Sequence, residues 1–182
     1  MSLPDTIVVA HGKSELILAR AIATRLKVPI EVFSINRGEE TISLGNIGKI
    51  LSEPPFDSEI SLHRRYGTIE YSSRKRTFPR LTIIPIVDVD GDGRSARAYK
   101  TGEIFKDSIF QNRILPILNE PNLEAVMLDI GYPPVKDKVD WYSNMVINPG
   151  ELYEKLQKSD KTNMDLFLKH IMDRCPSFQN KY

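Results

Sequence analysis

The chain has 182 residues, of which 41% are apolar and 27% charged, a composition typical of a water-soluble globular protein with room for one well-buried domain. Its formal net charge of +1 gives no overall indication of a nucleic-acid or membrane partner. A single cysteine, Cys175, excludes an internal disulfide and favours a reducing, cytoplasmic location. The sequence has no run of about 18 apolar residues that would cross a membrane and no signal-peptide pattern at its N-terminus.

The first half of the chain alternates strand and helix patterns. Thr6–Ala10 has the apolar run of a buried strand, and residues 14–26 repeat apolar side chains at helical spacing. Pro29 is expected to end that helix, because a proline disfavours helix in the residue before it. The next segments are predicted as a strand, a short amphipathic helix and an edge strand, at 30–35, 42–51 and 67–71.

The second half contains the strongest strand pattern of the chain. Residues 81–87, LTIIPIV, are apolar almost throughout, as expected of a central strand that is covered on both faces. Helical spacing predicts a helix at 103–118, and the apolar run LEAVMLDI predicts another buried strand at 123–130. The remaining chain is predicted as a loop followed by two terminal helices, at 131–141, 151–157 and 164–174.

This order of elements is typical of an open α/β sheet. We therefore predict an α/β fold of the Rossmann-like, three-layer kind with a mainly parallel central sheet. Residues 1–135 are expected to form the α/β core, and 136–182 a helical extension of the same domain. Because ligands of such sheets sit beyond the carboxyl ends of the strands, the turns at 11–15 and 88–93 and Asp129 are expected along one edge.

The segment IIPIVDVDGDG ends the central strand with three alternating carboxylates, Asp88, Asp90 and Asp92. If the strand geometry continues, Asp88 and Asp90 project to the same side. Two such carboxylates repel each other unless a cation lies between them, and hard oxygen ligands suit Mg²⁺ or Ca²⁺. A solvated Asp-Gly turn is the simpler alternative. An EF-hand loop also matches the first six positions, but Tyr99 stands where that loop needs a glutamate.

The segment VVAHGKSE forms the second candidate site. Its Gly12, Lys13 and Ser14 match the end of a P-loop, but Ile7 occupies the position of the first P-loop glycine. A strand end followed by a glycine and a helix start is compatible with an anion site. Ordinary capping of the helix explains Gly12, Ser14 and Glu15 equally well, and it leaves His11 without an explanation.

Together, the segments IVVAHGKSE and IIPIVDVDGDG resemble the Toprim domain of primases, type IA and type II topoisomerases and OLD-type nucleases. In that family a strand ends in Glu-Gly, an acidic residue follows a few positions later, and a later apolar strand ends in Asp-x-Asp. The resemblance covers roughly residues 5–130. His11 stands where the family has its glutamate, and Glu15 matches the later acidic position.

The resemblance implies metal-assisted phosphoryl transfer with Mg²⁺ or Mn²⁺ as the cofactor. Asp88 and Asp90 would hold the metal, and Asp92 would be a further or alternative ligand. His11 would act as the general base, with Glu15 holding the metal or orienting the histidine. The substrate phosphate would contact a set of residues near these acids: Gly12, Lys13, Ser14 and Arg94.

The charge distribution supports a polyanionic substrate. Between residues 60 and 100 there are nine Lys and Arg against four Asp and Glu, a net charge of +5. A basic loop at 72–80 is expected to lie beside the acidic turn, where it would suit DNA or RNA. A solvated surface loop is the alternative.

The sequence therefore leaves three functions open. The first is a Mg²⁺- or Mn²⁺-dependent, nuclease-like protein that processes nucleic acid. The second is a non-catalytic nucleotide- or nucleic-acid-binding protein on a degenerate Toprim scaffold. The third is a metal-stabilised module that acts through protein contacts.

Overall fold

A computed structural model describes residues 3–176. Four parallel strands form its central sheet in the order β2-β1-β3-β4. The strands are β1 (Thr6–Ala10), β2 (Glu31–Phe33), β3 (Thr82–Asp88) and β4 (Ile117–Asn119). The helices are α1 (Lys13–Leu26), α2 (Ile47–Ile50), α3 (Glu59–Arg65), α4 (Gly93–Lys100), α5 (Leu123–Asp129), α6 (Lys138–Met145), α7 (Pro149–Gln157) and α8 (Met164–Met172). This confirms the predicted α/β, three-layer, Rossmann-like fold.

Each face of the sheet carries its own apolar cluster, because neighbouring side chains of a strand point to opposite faces. Val8 and Ile84 pack on one face, together with apolar residues of α1, α5, α6, α7 and α8. Ile7 and Ile83 pack on the other face, with residues of α2, α3 and α4. Residues from both predicted segments of the chain, 1–135 and 136–182, contribute to the first cluster.

Several element predictions are confirmed within a few residues. The two central strands were predicted at Thr6–Ala10 and 81–87 and are observed at Thr6–Ala10 and Thr82–Asp88. Helix α1 ends at Leu26, followed by Lys27 in a left-handed conformation with φ of 55°.

No helix among the described residues is long and apolar enough to span a membrane.

The predicted strand at 123–130 is wrong, because this segment is helix α5. The side chain of Asn122 caps the helix by accepting a hydrogen bond from the Ala125 amide at 2.9 Å. Leu123, Val126 and Met127 are buried at helical spacing, whereas Leu128 is 52% exposed. The sequence of this segment is mostly apolar, which is also the pattern of a strand buried on both faces, although only one side of the helix is buried. Asp129, expected at the ligand edge, instead ends α5 and pairs with Lys161 at 2.6 Å.

The predicted helix at 103–118 is also wrong. Two 3₁₀ turns, Glu103–Phe105 and Gln111–Arg113, precede strand β4 there. Pro116 disfavours a helical conformation in Leu115, whose amide donates to the Ile83 carbonyl at 2.9 Å. The end of this segment therefore pairs with β3, although the spacing of its apolar residues predicted a helix.

Three further differences concern shorter elements. The predicted edge strand at 67–71 is not a strand, and the nearby pairing is an isolated bridge between Ser72 and Thr77. Helices α3 and α4 were not predicted, and neither was helix α6, which begins within the expected loop at 131–141. The predicted helix at 42–51 is a 3₁₀ turn followed by α2.

Replacing Gly48 by alanine is expected to destabilise the fold. A Cβ atom there would lie 2.1 Å from the Ile104 carbonyl oxygen, a backbone atom that cannot rotate away. Overpacking of this kind costs about 3 kcal/mol of unfolding free energy. Urea unfolding of Gly48→Ala measures the loss. Gly93→Ala is the matched control, because a Cβ on Gly93 meets nothing within 4 Å. Equal stabilities of the two variants would contradict this packing.

His170 ties helix α8 to the start of β1. The hydroxyl of Thr6 donates to Asp5 at 2.9 Å, so it accepts the hydrogen bond from His170 Nε2, also at 2.9 Å. Arg174 contacts Nδ1 of the same ring at 3.2 Å. Burial, and then the charge of Arg174, lowers the pKa of His170 to about 4. The folded protein therefore holds a neutral imidazole.

We expect His170 to make the protein less stable as the pH falls from 6.5 to 4. In that range the unfolded chain binds a proton that the folded chain rejects, so protonation favours unfolding. The loss should approach about 3 kcal/mol. Urea unfolding at pH 7 and pH 4.5 should show a larger loss for the wild type than for His170→Gln. Parallel pH profiles of the two proteins would contradict this role.

Candidate functional site

Three potential ligands converge at the carboxyl edge of the two central strands. His11 follows the last residue of β1, Asp88 ends β3, and Asp90 lies two residues beyond it. Each offers one ligand atom, and these atoms all lie within 4.8 Å of one another. The amide of His11 donates to the Ile86 carbonyl at 3.0 Å, so the pairing of β1 with β3 continues into the site.

Asp90 reaches the site by a turn and not by continued strand geometry. The strand ends at Asp88, and Asp90 adopts a left-handed conformation with φ of 45°, followed by Gly91 with φ of 87°. Asp90 Oδ2 lies 3.5 Å from His11 Nε2. Asp88 and Asp90 do lie close together, as expected. The expected cause is wrong, because a turn brings them together and not the alternation of side chains along a strand.

Asp88 is buried and held by two donors. Its Oδ1 accepts hydrogen bonds from Asn119 Nδ2 at 3.0 Å and from the Leu123 amide at 3.1 Å. Asn119 ends β4, and Leu123 begins α5, so two neighbouring elements fix the carboxylate. Burial, and then the negative charge of Glu15, raises the pKa of Asp88 to about 8.

Glu15 is a second buried acid beside Asp88. It is 2% exposed, and its Oε2 accepts a hydrogen bond from the Gly12 amide at 2.9 Å, which completes the start of α1. Its Oε1 is buried, and no residue in the described part of the chain gives it a hydrogen bond. Burial raises the pKa of Glu15 to about 7. Without a cation, this acidic pair therefore holds protons near neutral pH.

His11 is 7% exposed, and its Nδ1 has no hydrogen-bond partner among residues 3–176. Burial lowers the pKa of His11, although the charge of Asp90 acts in the opposite direction. The ring is therefore neutral at pH 7. A neutral imidazole can accept a proton or ligate a metal ion.

Glu124 and Lys138 extend the site, and the sequence did not indicate either of them. Ser14 donates to Glu124 at 2.6 Å, and Lys138 Nζ lies 2.7 Å from Glu124 and 2.9 Å from Ser14 Oγ. Burial alone would raise the pKa of Glu124, but the hydrogen bonds from Lys138 and Ser14 lower it. The hydroxyl of Tyr142 faces the same acids, and burial raises its pKa.

The other predicted site residues lie around the three potential ligands and do not join them. Asp92 is exposed and caps α4 by accepting a hydrogen bond from the Ser95 amide at 3.1 Å. Lys13 is exposed and pairs with Glu39 at 3.1 Å, and Arg94 is exposed in the first turn of α4. The Glu15 carboxylate accepts the hydrogen bond of the Gly12 amide, so this amide at the start of α1 is not free for a phosphate.

The basic loop lies at the opposite edge of the sheet. Arg80 precedes the amino end of β3, pairs with Glu70 at 2.7 Å and is close enough to Asp5, just before β1, to be affected by its charge. Thr68 donates to Glu31, the first residue of β2, at 2.5 Å. A seven-residue strand spans roughly 20 Å. The expectation that this loop lies beside the acidic turn is therefore wrong.

Of the site residues that the sequence analysis missed, Asn119 would have followed from a predicted strand at β4. Asn119 stands at the carboxyl end of that strand, the position where ligand residues of α/β sheets are expected. Lys138 and Glu124 had no comparable signal, because their placement depends on how α5 and α6 pack.

Comparison of this chain with protein-family models, curated proteins and solved structures found no match. The arrangement of the site is therefore the observation from which function has to be inferred.

Asp88→Asn should abolish divalent-cation binding without destabilising the cation-free protein. An amide oxygen can still accept from Asn119 and Leu123, and the repulsion with Glu15 disappears. Calorimetry with Mn²⁺ measures the affinity, and thermal melting in a chelator measures the stability. Asp92→Asn is the control, since asparagine also caps a helix. Equal Mn²⁺ affinity in wild type and Asp88→Asn would contradict the site.

Proposed function

We propose that this chain is a divalent-cation-dependent phosphoryl-transfer protein with a Toprim-like core, and that it cleaves phosphodiester bonds of nucleic acid. The observation that supports this proposal most directly is the convergence of His11, Asp88 and Asp90 within 4.8 Å at the carboxyl edge of the sheet. Asp90 is exposed, but Asp88 and the neighbouring Glu15 are buried. Buried carboxylates are costly unless a cation or protons neutralise them.

The residues present fit a divalent cation. His11 Nε2 lies 3.5 Å from Asp90 Oδ2, so a nitrogen and carboxylate oxygens lie close enough to share one ion. Beside them, Glu15 Oε1 is buried without a hydrogen-bond partner within residues 3–176. His11, Asp88 and Asp90 would hold the ion, and the mixed nitrogen and oxygen donors favour Mn²⁺ more than an all-oxygen site would. A bound divalent cation polarises a phosphodiester and offsets the negative charge that develops on it.

The side chains of this chain supply the remaining chemistry. His11, neutral at pH 7, accepts a proton from the attacking water if it is not itself a ligand. Asn119 and the Leu123 amide keep Asp88 in one orientation. Lys138 places a positive charge beside Glu124 at the same edge. Lys13 and Arg94 are exposed in the first turns of α1 and α4, the helices that follow β1 and β3, where they would contact a phosphate.

The alternative is a non-catalytic nucleotide- or nucleic-acid-binding protein on a degenerate Toprim scaffold. His11 favours it, since this residue replaces the glutamate that the resemblance implies. The two functions differ in turnover and not in binding.

His11→Ala should reduce metal-dependent cleavage by about 10²-fold, the usual contribution of a general base. The assay uses single- and double-stranded DNA and RNA with Mg²⁺ or Mn²⁺. If His11 is a ligand, activity is higher with Mn²⁺ and His11→Glu restores activity with Mg²⁺. If His11 is a base, its lowered pKa puts the rise of activity below pH 6.5.

His63→Gln is the control for this experiment, because His63 lies on α3 and stacks on Tyr71 away from the site. It should retain the wild-type activity. Absence of turnover by the wild type with every substrate and metal would refute catalysis and favour the binding function.

A further inference from the structure

The segment 72–77, SSRKRT, forms a closed turn that we call the basic hairpin. The Ser72 amide donates to the Thr77 carbonyl at 2.8 Å, and the Thr77 amide returns a bond to the Ser72 carbonyl at 3.3 Å. The Lys75 amide donates to Ser72 Oγ at 3.3 Å, and Arg76 adopts a left-handed conformation with φ of 51°. These bonds fix the backbone of the tip.

The base of the hairpin is anchored to the core. Thr77 Oγ1 donates to Glu59 at 2.8 Å and accepts a hydrogen bond from Arg113 at 3.2 Å. Phe78 is fully buried, and its carbonyl accepts a hydrogen bond from Arg113. The tip therefore has a defined position on the protein, so binding a partner there costs little backbone entropy.

The tip carries three consecutive cations, Arg74, Lys75 and Arg76, and all three are exposed. Within residues 3–176, none of the ion pairs includes any of them, whereas the nearby Arg80 is paired with Glu70. Three like charges on one tight turn repel one another. An external polyanion would relieve that repulsion and release its own counterions.

We propose that the basic hairpin binds the phosphate backbone of nucleic acid at a surface separate from the candidate cation site. It precedes the amino end of β3, whereas Asp88 lies at the carboxyl end of that strand, and a seven-residue strand spans roughly 20 Å. The choice of nucleic acid rests on the proposed function. At 3.4 Å per phosphate along one strand of a duplex, a length of about 20 Å corresponds to about six phosphate-to-phosphate steps.

The chemistry of the tip favours nucleic acid over a membrane surface. Its side chains are serine, threonine, arginine and lysine, with no apolar residue to enter a bilayer. Three adjacent cations also carry more positive charge than is needed to neutralise a single phosphate group. Direct contact with phosphates would give affinity without base specificity.

The test measures binding in a chelator, so it does not depend on turnover or on the cation site. Fluorescence anisotropy with labelled 20-nucleotide single strands and duplexes gives Kd at several salt concentrations. The variant is Arg74→Gln with Lys75→Gln and Arg76→Asn, because asparagine tolerates the left-handed conformation. The control removes three exposed cations elsewhere, by Arg20→Gln, Lys106→Gln and Lys158→Gln. A second variant, Arg74→Lys with Arg76→Lys, keeps the charge.

We expect the neutral hairpin variant to bind at least about tenfold more weakly, with the slope of log K against log salt reduced by about 2 to 3. The scattered control and the lysine variant should keep the wild-type slope. Circular dichroism melting should show the same fold in all four proteins. Equal weakening of the neutral variant and the control, or no binding by the wild type at low salt, would overturn the proposal. Binding of the same proteins to anionic phospholipid vesicles is measured in parallel. The proposal would also be overturned if the neutral hairpin variant lost vesicle binding but kept the wild-type affinity for nucleic acid.

Discussion

The parallel pairing of β1 with β3 is the constraint on which the rest of the structure depends. The register places Ala10 opposite Ile86, so the residues that follow both strands emerge at the same edge. Val8 and Ile84 fill one face of the sheet while Ile7 and Ile83 fill the other. A slip of one residue would turn each of these side chains to the opposite face, so the packing fixes the register.

The same pairing brings acidic side chains together where little water can reach them. Asp88 and Glu15 are both almost fully buried, and burial raises the pKa of each carboxyl group. Only part of this cost is offset within the protein, by donors to one oxygen of each carboxylate. Stability alone would favour amides at these positions. Under the proposed function, a bound cation would offset the remaining cost.

Positive charge is distributed differently. Lys138 and Lys13 remain at the acidic edge, but each is paired with a glutamate. The unpaired cations of the basic hairpin lie at the other end of β3. The protein thus separates the group that would perform chemistry from the group that would attract a long polyanion. The basic hairpin and the acidic turn are close in sequence, so a count of charges along the chain suggests that they lie together. Strand β3 stands between them and places them at opposite ends of the sheet.

The sequence by itself determined the central strands, α1 and the identity of the acidic turn. Their apolar patterns are decided locally, by side chains that have to be buried on both faces or on one face of a helix. Only the tertiary structure decided that 117–119, and not 123–130, pairs with β3, since a short apolar run is compatible with either element until its neighbours are known. It also decided that Asn119, Glu124 and Lys138 join His11 and Asp88. Those residues are far apart along the chain, and the packing of β4, α5 and α6 against the sheet brings them to one edge.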